Sequence, residues 1–170
     1  MATHGAAAQR IATLSADAGE AWWWFGGLAL IKIGSDQSEG KYSLIEMLYP
    51  PNLEVPLHVH TREDELFYVL EGKIAYRVGD LQTEVSAGHT VFAPKNIPHG
   101  FTVTSAHPAR YLIVYSPAGF EGFIRDTSRR ASQLVLPPSA PPPTPGQLEA
   151  LSGMMRDRYG CYWATDYKSK

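Results

Sequence analysis

Pro56-Leu57-His58-Val59-His60-Thr61-Arg62-Glu63-Asp64-Glu65-Leu66-Phe67-Tyr68-Val69-Leu70-Glu71-Gly72 is the stretch on which the reading of this chain turns. Side chains at i and i+2 of a strand share a face, so His58 and His60 point one way and Val59 the other. Thr61 to Asp64 give the chain room to turn and to return Glu65 as a carboxylate on the same side. Far downstream, His99 offers a third imidazole. Three imidazoles and a carboxylate suit a first-row transition metal and leave coordination positions open. A single histidine of this kind is normally a hydrogen-bonded core residue. Several polar groups aimed at one point need a common partner, so these four read as metal ligands.

Around this stretch the chain reads as short strands. Leu66 to Leu70 and Ile74 to Val78 flank Glu71-Gly72-Lys73 as a hairpin, and Gly79-Asp80 marks a second tight turn. Upstream, Trp22 to Phe25 followed by Leu28 to Ile33 has the aromatic and β-branched content of strand. Gly34-Ser35-Asp36 and Glu39-Gly40 are turn chemistry, and Tyr42 to Leu48 is the next strand, ended by Pro50-Pro51-Asn52. Downstream, Leu81 to Val85, Thr90 to Phe92, Gly100 to Thr104 and Arg110 to Tyr115 continue the series. Strands at this density predict an all-β barrel or sandwich. If Glu65 and His99 face inward, parity turns Phe67, Val69, Phe101 and Val103 inward too. They are expected to line an apolar, partly aromatic substrate pocket; an ordinary core accounts for the same four residues.

At Pro117 the character changes. A short helix is expected up to Arg129 or Arg130, then an extended proline-dense strap from Pro137 to Pro145. Thr144 and Pro145 offer an N-cap and first-turn proline for a helix from Gln147 to about Arg158, which Gly160 can end. The barrel core thus spans about 22–117 and the helical and extended tail 118–170, a tail expected to cover a barrel edge or mouth, with Phe120 and Phe123 near the metal. The Ala-rich arm from Met1 to about Glu20 carries no assigned chemistry. His4 in that arm, His89 at a turn and His107 before Pro108 are poor ligand candidates.

With 170 residues, 44% hydrophobic content and a net charge of −2, the whole chain, 1–170, is expected to form one domain. Its 15 basic and 17 acidic residues create no single-sign field, which argues against nucleic acid or an anionic membrane as partner. Cys161, the only cysteine, cannot form an internal disulfide and fits a reducing cytoplasm. No motif marks it as a nucleophile. The longest apolar stretch, Ala21 to Ile31, stops at Lys32, short of the roughly 20 residues a membrane span needs. No secretory signal is expected in the first twenty residues. The apolar N-terminal strand suggests edge pairing in a homodimer.

His58-x-His60-x4-Glu65-x6-Gly72 resembles the first cupin motif, and Gly88-x5-Pro94-x3-Pro98-His99 is similar to the second. The spacing to Gly72 selects Glu65 as the carboxylate ligand; Glu63 and Asp64 are left to face solvent or position their neighbours. Two departures stand in the second motif, Asn96 for the usual Gly and Val103 for the usual Asn, and Asn96 is expected to take a positive φ. Trp24 to Leu28, Ser43 to Glu46 and Pro117 to Phe123 extend the likeness to bacterial single-domain quercetinase-like cupins over residues 22–126. That resemblance implies a jelly-roll barrel and one divalent transition metal, Fe, Mn, Ni, Co or Zn. It further implies dioxygenation of a small aromatic or enolic substrate by O2, with Glu65 both ligand and general base. It leaves open a redox-neutral isomerase, cyclase or decarboxylase, and a cupin that binds a small molecule without turnover.

Overall fold

A computed structural model describes residues 13–139 and 141–168. Along the chain it forms β1 (Glu20–Trp24), β2 (Gly27–Ile33), α1 (Ser35–Ser38), β3 (Ser43–Tyr49), β4 (Glu54–His60), β5 (Asp64–Glu71), β6 (Lys73–Val78) and β7 (Leu81–Ser86). There follow β8 (Thr90–Ala93), β9 (His99–Val103), β10 (Ala109–Ser116), α2 (Glu121–Thr127), β11 (Arg129–Arg130), α3 (Pro145–Tyr159) and β12 (Cys161–Trp163). The strands build two antiparallel sheets, a seven-stranded one in the order β11-β1-β2-β3-β10-β5-β8 and a five-stranded one in the order β12-β4-β9-β6-β7. This is the jelly roll that the family resemblance implies, within the all-β barrel or sandwich that the strand density predicts.

Alternation does the layering. On β3, Ile45, Met47 and Tyr49 are buried while Leu44, Glu46 and Leu48 lie half-buried on the outer face. On β10, Tyr111, Ile113 and Tyr115 are buried and Arg110, Leu112 and Val114 half-buried. The inward sets of both sheets meet in one apolar core that includes Phe67, Val69, Tyr76, Phe101 and Val103. Burial of such sets supplies most of the driving force for closing the two sheets.

Three local expectations need correction. The apolar run from Trp22 to Ile33 is two strands, because Phe25 (φ 45°) and Gly26 (φ 78°) form a two-residue turn with both residues left-handed, the geometry that suits a twisted hairpin. Gly27 has no tolerance for a side chain: a Cβ there would lie 2.0 Å from the Tyr49 ring. The segment after Gly34 is a single helical turn, Ser35–Ser38, closed by Glu39 at φ 55°. Most consequentially, β5 and β6 do not form a hairpin. β5 pairs with β10 and β8, β6 with β7 and β9, and Gly72 (φ 82°) carries the chain from one sheet to the other. A glycine turn looks the same in sequence whether the next strand returns beside its predecessor or crosses to the facing sheet.

Gly79, at φ 56°, does turn β6 into β7 as a hairpin. The tail helix α3 is capped by Thr144, whose hydroxyl accepts from the Gln147 N–H, and is closed by left-handed Gly160. The outer edge of β1 is occupied within the chain: Trp22 and Trp23 pair with Arg130 and Arg129, whose guanidinium groups lie 4.3 and 4.8 Å from the indole centroids. Edge pairing with a second copy at these residues is therefore blocked. The arm containing His4 lies outside the described residues up to position 12. Among the described residues no helix is long and apolar enough to cross a membrane.

Candidate metal centre

β4 delivers His58 and His60, β9 delivers His99 directly opposite His58, and β5, in the facing sheet, delivers Glu65. The register of β4 against β9 shifts between Val55 and His58. Gly100 permits that close approach, since a Cβ there would stand 2.7 Å from the Val55 carbonyl oxygen. One ligand atom from each of His58, His60, Glu65 and His99 lies within 4.8 Å of the others. His60 Nε2 is 3.0 Å from Glu65 Oε1, and His99 Nε2 is 2.9 Å from Glu65 Oε2. His60, His99 and Glu65 are buried and His58 half-buried.

Every imidazole is held from behind. The Nδ1 atoms of His58 and His99 lie 2.8 and 2.9 Å from the carbonyl oxygens of Pro56 and Ile97, and that of His60 lies 3.2 Å from Glu63 Oε2. These neighbours only accept, so each Nδ1 carries the proton and, in a neutral ring, each Nε2 presents a lone pair. In His60 and His99 those lone pairs face the oxygens of Glu65. That juxtaposition is repulsive until a proton or a cation stands between nitrogen and oxygen. The donors therefore fit a divalent transition metal, with outward partners of the type that orient metal-binding histidines.

Without an ion, protons do part of this work. Burial opposes charge on His60, but Glu65, with Cys161 and Glu63 beside it, outweighs burial and holds the imidazole well above its ordinary 6.5. Burial likewise opposes ionisation of Glu65, and His60 and His99 override it, holding the carboxyl well below 4.5. His58 goes the other way. Burial first, then repulsion from His99 and His60, lowers it to about 3.

Several neighbours surround the donors, of which the sequence did not mark Tyr115 or the placement of Cys161 and Trp163. Glu63 is 4% exposed and does not face solvent; it anchors His60. Asp64 accepts the Lys95 backbone N–H at 2.8 Å. β12 adds a strand to β4, with Cys161 opposite His60 and Trp163 opposite His58, and Cys161 Sγ lies 3.6 Å from His60 Nε2. Phe120 packs its ring 4.3 Å from that of His60, in the place proposed for a mouth-covering tail, while Phe123 sits behind it against Tyr159 at 5.4 Å. Tyr115 completes the wall, 5.8 Å from His60 and 5.0 Å from Phe120. Strand parity contained the signal for Tyr115, since it is paired with Glu65 on the same inward face. Three residues of β12 carried no signal of their own.

Phe67, Val69, Phe101 and Val103 are all buried below the donors, with Phe67 and Phe101 in edge contact at 6.1 Å. They sit in the packed core. A groove of about 580 Å³ lies elsewhere, along β4, β9, β6 and β7, and is lined by Arg77, Gln82, Glu84, Gly100 and Thr102 among others. Of the four expected pocket residues it touches only Phe101, and it touches none of the metal donors. Asn96 takes φ 66°, as its place in the turn before His99 demands.

Residues 45–115, which contain all four donors, match the family described as Cupin domain. These residues form a cupin domain. The chain is 34% identical over 77 residues to an uncharacterised protein of Methanocaldococcus jannaschii, covering 45% of this chain and 62% of that one. The chain thus spans about three fifths of that relative's length. Among solved structures, KdgF from Halomonas sp. superposes with a TM-score of 0.54 at 17% identity, over 59% of this chain and 89% of its own. An RmlC-like cupin from Shewanella frigidimarina gives 0.50 at 19% identity, over 58% and 83%. Both likenesses concern the fold. Glu63 lies inside the matched span, and Phe120 and Cys161 lie beyond it.

Proposed function

We propose that this protein is a metal-dependent oxygenase of a small aromatic or enolic substrate, quercetinase-like in its chemistry. Its one divalent transition metal would be held by His58, His60, Glu65 and His99. The observation that carries this reading is the outward anchoring of all three Nδ1 atoms, which leaves three Nε2 atoms and the Glu65 carboxylate converging on one point. When bound, the ion supplies Lewis acidity toward an enolic oxygen and, if redox-active, a means of engaging O2.

The remaining work falls to the chain's own groups. Glu65 faces His60 with one oxygen and His99 with the other. One oxygen can therefore keep its place while the other accepts the proton of an enolic hydroxyl. Glu63 and the Ile97 carbonyl hold the two imidazoles in orientation throughout. The rings of Phe120 and Tyr115 shield the His60 side from water, which strengthens the electrostatics inside.

The test is oxygen consumption by metal-reconstituted protein supplied with a flavonol. O2 uptake matching substrate loss supports the reading. Conversion without O2 uptake would instead make the protein a redox-neutral isomerase, cyclase or decarboxylase, and retention of an unchanged ligand would make it a binding cupin.

A further inference from the structure

An antiparallel sheet that packs one face on a core ordinarily turns polar side chains to water on the other. The five-stranded sheet follows this rule: on its outer face Ala75 stands between Glu84 and Thr102, and Arg77 stands beside Gln82. The seven-stranded sheet does not. Across β3, β10, β5 and β8 the outward positions Leu44, Val114, Leu66 and Phe92 register as one row, and the next row holds Leu112 and Tyr68 between Glu46 and Thr90. Leu48 opposite Arg110, and Leu70 at the bulge beside it, carry the apolar surface into a third row. Leu66, Tyr68 and Phe92 are 40%, 43% and 55% exposed, so large side chains at neighbouring positions are left in water.

The chain covers part of this face itself. At β1, Trp23 Nε1 donates to the Val135 carbonyl oxygen; at β2, Lys32 Nζ donates to the carbonyl oxygens of Ser15, Ala16 and Ala18, and Gly19 lies against Leu30. This cover does not reach Leu66, Tyr68 or Phe92. Outside the described residues, Met1 and Ile11 are the only large apolar side chains, too few to cover the patch. The charges beside it cancel: Arg110 lies 2.5 Å from Glu46 and 3.6 Å from Glu71, and Lys32 lies 3.8 Å from Glu46. A face with a net sign repels its own copy, whereas this one offers no field to oppose a copy or to draw an acidic or basic partner. Strands about 4.8 Å apart and outward rows about 7 Å apart give the patch a footprint on the order of 20 by 20 Å, roughly 400 Å². A stable interface takes about 800 Å² from each partner, a little over half of it apolar. The patch is thus about the size of one such apolar centre, with Glu46, Glu71, Thr90 and Arg110 placed as its polar rim.

We propose that this face is the interface of a homodimer, in which a second copy lays the same outer face of its seven-stranded sheet over Leu66, Tyr68 and Phe92 about a two-fold axis. One self-complementary patch closes on itself, so assembly stops at two. β5 runs through the middle of the patch, presenting Leu66 and Tyr68 outward and Glu65 to the donor cluster. Each copy thus lies behind the strand that carries the other's Glu65. The interface needs no ion and stands apart from the oxygenase reading.

Light scattering on the full-length protein between about 1 and 100 µM reads the assembly directly. Wild type is expected at twice the chain mass. Leu66→Glu and Phe92→Glu put a carboxylate into the apolar centre and are expected to raise the dimer dissociation constant by about thirtyfold or more. Leu81→Glu, a control at a 60% exposed position on β7 of the other sheet, should stay dimeric. Side-chain footprinting of wild type across the same dilution needs no substitution, and it decides alone where circular dichroism finds a variant unfolded. Tyr68 and Phe92 should become protected on concentration and Leu81 should not. A wild type that stays monomeric throughout the range would overturn the proposal, as would a dimer that persists in both folded variants or protection confined to the other sheet. Dimerisation gained only on deleting residues 1–12 would make that arm the occupant of the face and would overturn it too.

Discussion

Cys161 stands directly opposite His60 where β12 pairs with β4, its sulfur 3.6 Å from the Nε2 that faces Glu65. The last strand of the chain is thus built against a metal donor that lies 101 residues earlier.

Deleting the chain from Cys161 onward should therefore lower metal affinity by about tenfold or more, as loss of a donor's supporting neighbours does elsewhere. Cys161→Ala keeps the strand pairing and serves as the comparison. A chelator-competition titration reads both. Equal affinity in the truncated and full-length proteins would make β12 a bystander to the site.

Glu63 tests the support of His60 from the other side. Glu63→Ala leaves a buried Nδ1–H without an acceptor and should weaken metal binding by about 10–100-fold, whereas Glu63→Gln retains an acceptor and should cost less. If both variants bind metal as wild type does, the 3.2 Å contact orients nothing.

For Glu65 the question is chemistry beyond ligation. Glu65→Gln keeps size and one carbonyl oxygen but cannot take up the substrate proton, so turnover should fall by about 10²-fold or more. Metal content measured in the same samples separates the roles. Retained metal with collapsed turnover isolates proton transfer; retained metal with normal turnover removes it from the mechanism.

In the metal-free protein the pH profile follows from three groups. His60, held above 6.5, contributes stability that is complete below 6.5 and is lost as pH rises through its folded value. Glu65, held below 4.5, contributes stability that is present above 4.5 and is lost as pH falls through its folded value. His58, lowered to about 3, must gain a proton on unfolding, so stability declines as pH drops from 6.5 toward that value. Metal-free stability should peak near pH 6.5 and fall on both sides. Metal must displace the His60 proton, so saturating metal should remove the alkaline limb and release about one proton per ion near pH 7. Urea unfolding with and without metal checks this, and a metal-free profile still climbing above pH 7 would contradict it.

The donor residues were legible because strand periodicity is a local property. His58 and His60 share a face by parity, and Asn96 announced a left-handed turn by its chemistry. Sheet membership was not legible, since Gly72 allows both a hairpin and a crossing and only the distant partner β10 decides. Nor was β12. Three residues after a helix cap have no period to read, and their place beside β4 is set by the docking of α3. For Glu63 the sequence left two alternatives, facing solvent or positioning a neighbour, because in a turn, unlike a strand, neighbouring positions do not alternate in a fixed way; the contact with His60 shows the second.

The crossing at Gly72 has a mechanical corollary. It puts Glu65 in one sheet and all three imidazoles in the other, so an ion held by the four is a rivet through opposite walls of the barrel. Shearing the walls apart would have to break coordination bonds as well as peel apolar surface. Neither wall alone contains the binding set. A nascent chain completes the four-donor set only once both walls have closed, which makes coordination by Glu65 together with the imidazoles a report on completed closure.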